Sequence, residues 1–178
     1  MLIDALGGYS AATLLAAPKH EPLSLSLAGG GGVRVRLTKA PGESVQHLLL
    51  KGMLWSLLLP THPDAACEVD VGLRYRPDVV SLDGASGRPR WWGECGSVKA
   101  SKLNELAAAF PDCRFSVAKW GRSDLTGYAS QLRSGLALSS QRTAPFELIG
   151  FPADSAERFV ADDGQLTVTF EDLQVVRL

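Results

Sequence analysis

Tyr75-Arg76-Pro77-Asp78-Val79-Val80-Ser81-Leu82, a turn region from Asp83-Gly84 through Gly87 and Pro89, and then Arg90-Trp91-Trp92-Gly93-Glu94-Cys95 form the stretch that decides the fold. Both runs are rich in β-branched and aromatic residues and are bounded by Pro, Gly and Asp, which predicts two neighbouring strands joined by a turn. Glu94 comes sixteen positions after Asp78. That separation sets the two carboxylates side by side at one end of a sheet. Trp91 and Trp92 point to opposite faces, and core packing is the favoured role for both. Cys95 faces away from Glu94 and reads as buried rather than nucleophilic.

Downstream, Gly96-Ser97 opens a helix with Ser97 or Ser101 as N-cap. Val98, Lys102, Leu103, Leu106, Ala107 and Phe110 continue it, and Pro111-Asp112 stops it. Residues 114–120 form a third strand, reached by a crossover. A weaker helical pattern covers 125–138, a strand 146–151, a helical turn 155–160, and a strand 166–170 follows Asp163-Gly164. Upstream, Leu23, Leu25 and Leu27 alternate with serines, and Val33, Val35 and Leu37 alternate with arginines. The pattern is a hairpin, with Gly29 to Gly32 as its loop. This glycine run is no phosphate cradle, because no Lys-Ser/Thr ends it and a strand follows it. Residues 43–59 read as a helix with a wide apolar stripe, with Glu43 and His47 one turn apart. Residues 68–73 read as a short extended piece, and residues 1–20 as an N-terminal helix or tail. Strand, strand, helix, strand in that order predicts an α/β fold: a mixed sheet core flanked by helices, with N-terminal and C-terminal β additions.

The 178 residues suit one domain, 1–178, with an ordinary share of hydrophobic (46%) and charged (21%) residues. No apolar run is long enough to span a bilayer, and Met1 to Pro18 lacks the basic start of a secretory signal. Cys67, Cys95 and Cys113 have no CxxC partner. Neither they nor His20, His47 and His62 fall at zinc-finger spacing. Reduced, buried thiols and a cytoplasmic location, with no membrane partner, are expected. A net charge of −1 excludes a strongly DNA-coating protein and leaves room for a local basic face. No Ser-His-Asp order, GxSxG, Walker or dinucleotide motif is present.

Two carboxylates converging on one site suit a hard divalent cation, Mg²⁺ or Mn²⁺. Such an ion polarises a phosphodiester and activates water, and a nearby lysine would orient the water or neutralise developing charge. An acid at a strand end is also commonly just solvated or salt-bridged, and surface exposure is the ordinary fate of Lys99 and Lys102.

Pro77-Asp78, then Trp92-Gly93-Glu94-Cys95-Gly96, a helix and a further strand resemble the core of the PD-(D/E)xK nuclease-like, or restriction-endonuclease-like, superfamily. More narrowly, the whole chain resembles the YaeQ-like proteins, small bacterial proteins placed in that superfamily. The likeness takes in the hairpin, the Ala40-Pro41-Gly42-Glu43-Ser44 entry to the first long helix, the Asp78/Glu94 pair, Trp120-Gly121 and the Asp163-Gly164 hairpin. It implies a metal-dependent phosphodiesterase (nuclease) acting on DNA or RNA, with Asp78 and Glu94 as ligands and Glu43 as a candidate third acid. The superfamily pattern has lysine two residues after the second acid, where this chain has Gly96. A lysine of the next helix, Lys102 or Lys99, is the expected replacement, with Lys119 as a third choice. The alternative is a nuclease-like scaffold that has lost its chemistry and acts as a binding or interaction module.

Overall fold

Alternation along β2 (Leu23–Ala28) and β3 (Arg34–Thr38) builds the expected antiparallel hairpin, with Leu25, Leu27 and Leu37 buried. β1 (Ile3–Ala5) adds to it in parallel as a third strand. The computed structural model describes residues 3–5, 10–17, 22–122, 124–137, 142 and 144–178. A second sheet has six strands in chain order: β4 (Ala66–Cys67), β5 (Val79–Leu82), β6 (Pro89–Cys95), β7 (Arg114–Trp120), β8 (Phe146–Phe151) and β9 (Gln174–Arg177). β6, β7 and β8 run parallel, while β4, β5 and β9 are antiparallel to their neighbours. The fold is therefore mixed α/β, as the order of strands and helices predicts.

Period-two alternation divides the core between the two faces of this sheet. Trp91, Cys95, Ala118, Ile149 and Phe151 face α2 (Val45–Leu58) and the three-stranded sheet. Trp92, Phe115, Val117, Phe146 and Leu148 face α3 (Ala100–Ala109) and α4 (Leu125–Gly135). Both tryptophans are fully buried. α2 is buried on nearly all sides, which explains its unbroken Leu-rich sequence. It lies so close to β6 that a Cβ on Gly93 would sit 2.9 Å from Leu54. Among the described residues no helix is long and apolar enough to cross a membrane.

Several boundaries differ from the sequence reading. The N-terminal segment holds β1 as well as the short α1 (Ala11–Leu15), and residues 1, 2, 6–9 and 18–20 lie outside those described. α2 begins at Val45 because Ser44 caps it, its side chain accepting from the His47 N–H at 3.1 Å, so Glu43 precedes the helix. Residues 68–73 are not a strand; Glu68 takes a left-handed φ of 56° and ends β4. β5 starts at Val79, one residue after Asp78. Lys99, and neither Ser97 nor Ser101, occupies the α3 N-cap, and no side chain bonds there. α4 ends at Gly135, and residue 138 of the expected helix lies outside the described residues. Residues 166–170 are not a strand: Leu166 makes one isolated bridge, to Val160. Leu166 and Val168 alternate because they pack into the core, and a Thr169–Asp172 capping box then turns the chain. α5 (Ser155–Phe159) is the expected helical turn.

Candidate active site

β6, β7 and β8 are parallel and β5 antiparallel, so their topology brings Asp78, Glu94 and Gly96 to the carboxyl edge of the parallel strands. In α/β sheets this is the edge where ligands bind. Asp78 is tied there by its backbone: its N–H donates to the Gly93 carbonyl at 3.1 Å and its carbonyl accepts from the Glu68 N–H at 3.1 Å.

Glu94 shares a face with Trp92 and turns toward α3. Its carboxylate accepts from Trp92 Nε1 at 2.7 Å and from Lys102 Nζ at 2.7 Å. Lys102 also lies 5.3 Å from the centre of the Tyr75 ring. The carboxylate is almost wholly buried, and that burial raises its pKa. Lys102 and Trp92 pull it back down, while the charge of Asp78 pushes it up. The two acids therefore sense each other across the strand ends.

Asp78 turns the other way, toward α2. One oxygen accepts from the Cys95 N–H at 2.7 Å, and the other lies 3.3 Å from His47 Nε2. The hydrogen bond to Asp78 raises the His47 pKa, with burial opposing it and Glu43 adding to it. Glu43 Oε1 is 3.5 Å from His47 Nε2 and 2.6 Å from Lys51 Nζ, while Oε2 accepts from the Ala40 N–H at 2.8 Å. Lys51 also pairs with Glu68. Glu43, His47 and Lys51 thus form one stripe spaced by four residues that runs behind Asp78. The sequence reading does not single out Lys51, although its spacing of four residues from His47 sets both on one helix face.

Gly96 explains the absent motif lysine. Its φ of 77° is a left-handed conformation that side chains disfavour, and a Cβ would approach His47 Nδ1 to 3.5 Å. Of the three lysines considered, Lys102 reaches Glu94. Lys99 is exposed at the α3 N-cap. Lys119 donates to the Gly96 carbonyl and lies 4.3 Å from the Tyr128 ring centre.

Beside the acids opens a cleft of about 270 Å³, lined by Ser44, His47, Gly96, Ser97, Lys119 and Arg122 with Gln46, Leu50 and Trp120. Among the described residues no carboxylate lines it.

As metal donors, Asp78 and Glu94 offer hard oxygens. Among the described residues no group of three or more His, Cys, Asp or Glu side chains is placed to hold an ion. The two carboxylates turn to opposite sides of the sheet and each is engaged by protein groups, so the described residues form no protein-enclosed cage. Glu43, the third acid of the sequence reading, is engaged by Lys51 and the Ala40 N–H.

No protein-family model matches the chain, and no curated protein matches it. Solved structures do, two of them YaeQ proteins. One is the YaeQ protein of Xanthomonas axonopodis pv. citri, with a TM-score of 0.53 and 14% identity over 90% of this chain and 92% of that one. The other is the YaeQ protein of Pseudomonas syringae, with a TM-score of 0.52 and 15% identity over 83% of this chain and 79% of that one. At such identities the likeness speaks for architecture alone. The six-stranded mixed sheet, the helices on its faces and the matched lengths agree with both structures: the chain has a YaeQ-like fold.

Proposed function

We propose that this chain is a divalent-metal-dependent phosphodiesterase of the PD-(D/E)xK kind, acting on DNA or RNA. The observation that carries the reading is the juxtaposition of Asp78 and Glu94 at adjacent strand ends, with Lys102 on Glu94 in place of the lysine that Gly96 excludes. Mg²⁺ or Mn²⁺ held by the two acids would polarise a phosphodiester and lower the pKa of a bound water.

The chain's own groups have separable tasks. The Cys95 N–H and His47 fix the Asp78 carboxylate, and the Trp92 indole fixes Glu94. Lys102 is the one flexible donor in this set. Its ammonium can move from Glu94 to a phosphate oxygen, where it neutralises charge that builds as the bond breaks. The sheet edge holds the acids on rigid strands, so little reorganisation is needed.

A second reading, an inert nuclease-like binding module, is favoured by a specific fact: both Asp78 oxygens and the Glu94 carboxylate already have protein partners. Cleavage of end-labelled single- and double-stranded DNA and RNA in Mn²⁺ and in EDTA separates the two. The expected result is divalent-dependent cleavage that falls by roughly a hundredfold or more in Glu94→Gln and Lys102→Met. Oligonucleotide binding with no cleavage in any divalent cation would leave the binding module. Cleavage undiminished in Glu94→Gln would reject the assigned site.

A further inference from the structure

Lys119 is 8% exposed, at the end of β7, yet among the described residues no carboxylate pairs with it. Its ammonium is held by the Gly96 carbonyl and the face of Tyr128. Burying a charge without a counter-charge is costly, and it is tolerated where a bound ligand supplies the opposite sign. The cleft that Lys119 lines supplies the room. Its volume of about 270 Å³ exceeds what a phosphate group needs.

A second permanent cation and neutral polar groups complete the lining. Arg122 stands exposed at the rim, its guanidinium carbon 4.4 Å from the centre of the same Tyr128 ring. His47 faces in from α2, and Ser44 and Ser97 bring hydroxyls. Ser44 caps the fourteen-residue α2, whose amino end directs its positive dipole and free N–H groups at this corner. Asp124, two residues after Arg122, is occupied at the amino end of α4, its side chain accepting from the Gly127 N–H at 2.7 Å. Asp78 lies behind His47 and does not line the cleft.

We infer that this cleft is a binding site for a phosphate monoester, with Lys119 at its floor, Arg122 at its rim and the α2 amino end beside it. Two permanent cations match a dianion, and a small cleft closed by a buried lysine suits a terminal group. A continuous phosphodiester strand would need a groove spanning several nucleotides. The site uses none of the carboxylates assigned to metal, so it stands or falls apart from the hydrolysis.

The test is run in EDTA, which removes divalent cations. Binding of a 3′-labelled oligothymidylate is measured by anisotropy with a 5′-phosphate and with a 5′-hydroxyl, against unlabelled inorganic phosphate and thymidine 5′-monophosphate as competitors. The 5′-phosphate is expected to tighten binding by about tenfold, a preference lost in Arg122→Ala and in Lys119→Met. Because Lys119 is buried, circular dichroism checks its fold, and the exposed Arg122 decides if Lys119→Met is misfolded. Competition by both small phosphates as effective as by the phosphorylated strand assigns the site to a free phosphate ester. Competition by the strand alone assigns it to a nucleic-acid end. Equal affinity for the two oligonucleotides, with no competition by either small phosphate, overturns the inference. So does a preference that survives in Arg122→Ala.

Discussion

Replacing Lys51 with methionine keeps the length of the side chain and deletes its charge in the middle of α2. Lys51 is 2% exposed and holds two acids, Glu43 at 2.6 Å and Glu68. Burial pushes its pKa down, but the hydrogen bonds to Glu43 and Glu68 win and raise it, so Lys51 is charged at neutral pH. Methionine would leave Glu43, whose side chain is 10% exposed, with only the more distant His47 on a helix that is otherwise largely apolar. Stranding one member of a buried ion pair costs about 3–5 kcal/mol. The lower end applies here, because Glu68 is one-third exposed and can turn to solvent, and Glu43 keeps the Ala40 N–H. For a chain of this size, about 3 kcal/mol lowers Tm by about 6–12 °C. Urea unfolding followed by tryptophan fluorescence, with calorimetry for Tm, measures it. The double variant Glu43→Gln with Lys51→Met should recover part of the loss, since no charge is then stranded. A single variant within about 0.5 kcal/mol of the parent, or a double no better than the single, would refute the argument.

Two further expectations concern the same edge of the sheet. Gly96→Lys restores the motif lysine in sequence but forces a side chain into a φ of 77°. It should destabilise by about 1–2 kcal/mol and add no cleavage, and a faster enzyme would take the lysine role away from Lys102. The thiols should be inert: burial pushes Cys67 and Cys113 up to about 12 and Cys95 well above its ordinary range. At pH 8 only about one thiolate in ten thousand is then present, so iodoacetamide should label the cysteines in guanidinium and not in the native protein. Rapid native labelling of Cys95 would contradict its place in the core.

The sheet was largely legible because its buried strands carry apolar, β-branched or aromatic residues at every second position or more, between Gly, Pro and Asp breaks. Leu23 to Leu27, Trp91 to Cys95, Arg114 to Trp120 and Phe146 to Phe151 all carry that signal and all are strands. β9 was missed for the opposite reason. Gln174 to Arg177 is an edge strand with exposed side chains, so pairing with β8 holds it and no pattern betrays it. Leu166 and Val168 gave the converse error, alternating through tertiary packing without a partner strand. At the site, the antiparallel approach of Asp78 and Glu94 followed from their spacing. Their divergence to α2 and α3 did not, because it depends on where β5 begins and on which helix lies over each face. The Lys119 cleft was also beyond reach, since its lining comes from three separate segments of the chain.

Mn²⁺ binding measured by calorimetry, with and without a short oligonucleotide, tests the paired-acid site most directly. Wild type should bind the ion, more tightly when phosphate oxygens are present to complete the shell, and Asp78→Ala and Glu94→Gln should each abolish the binding. An unchanged isotherm in either variant, or no binding by wild type even with nucleic acid present, would contradict a metal centre built on Asp78 and Glu94.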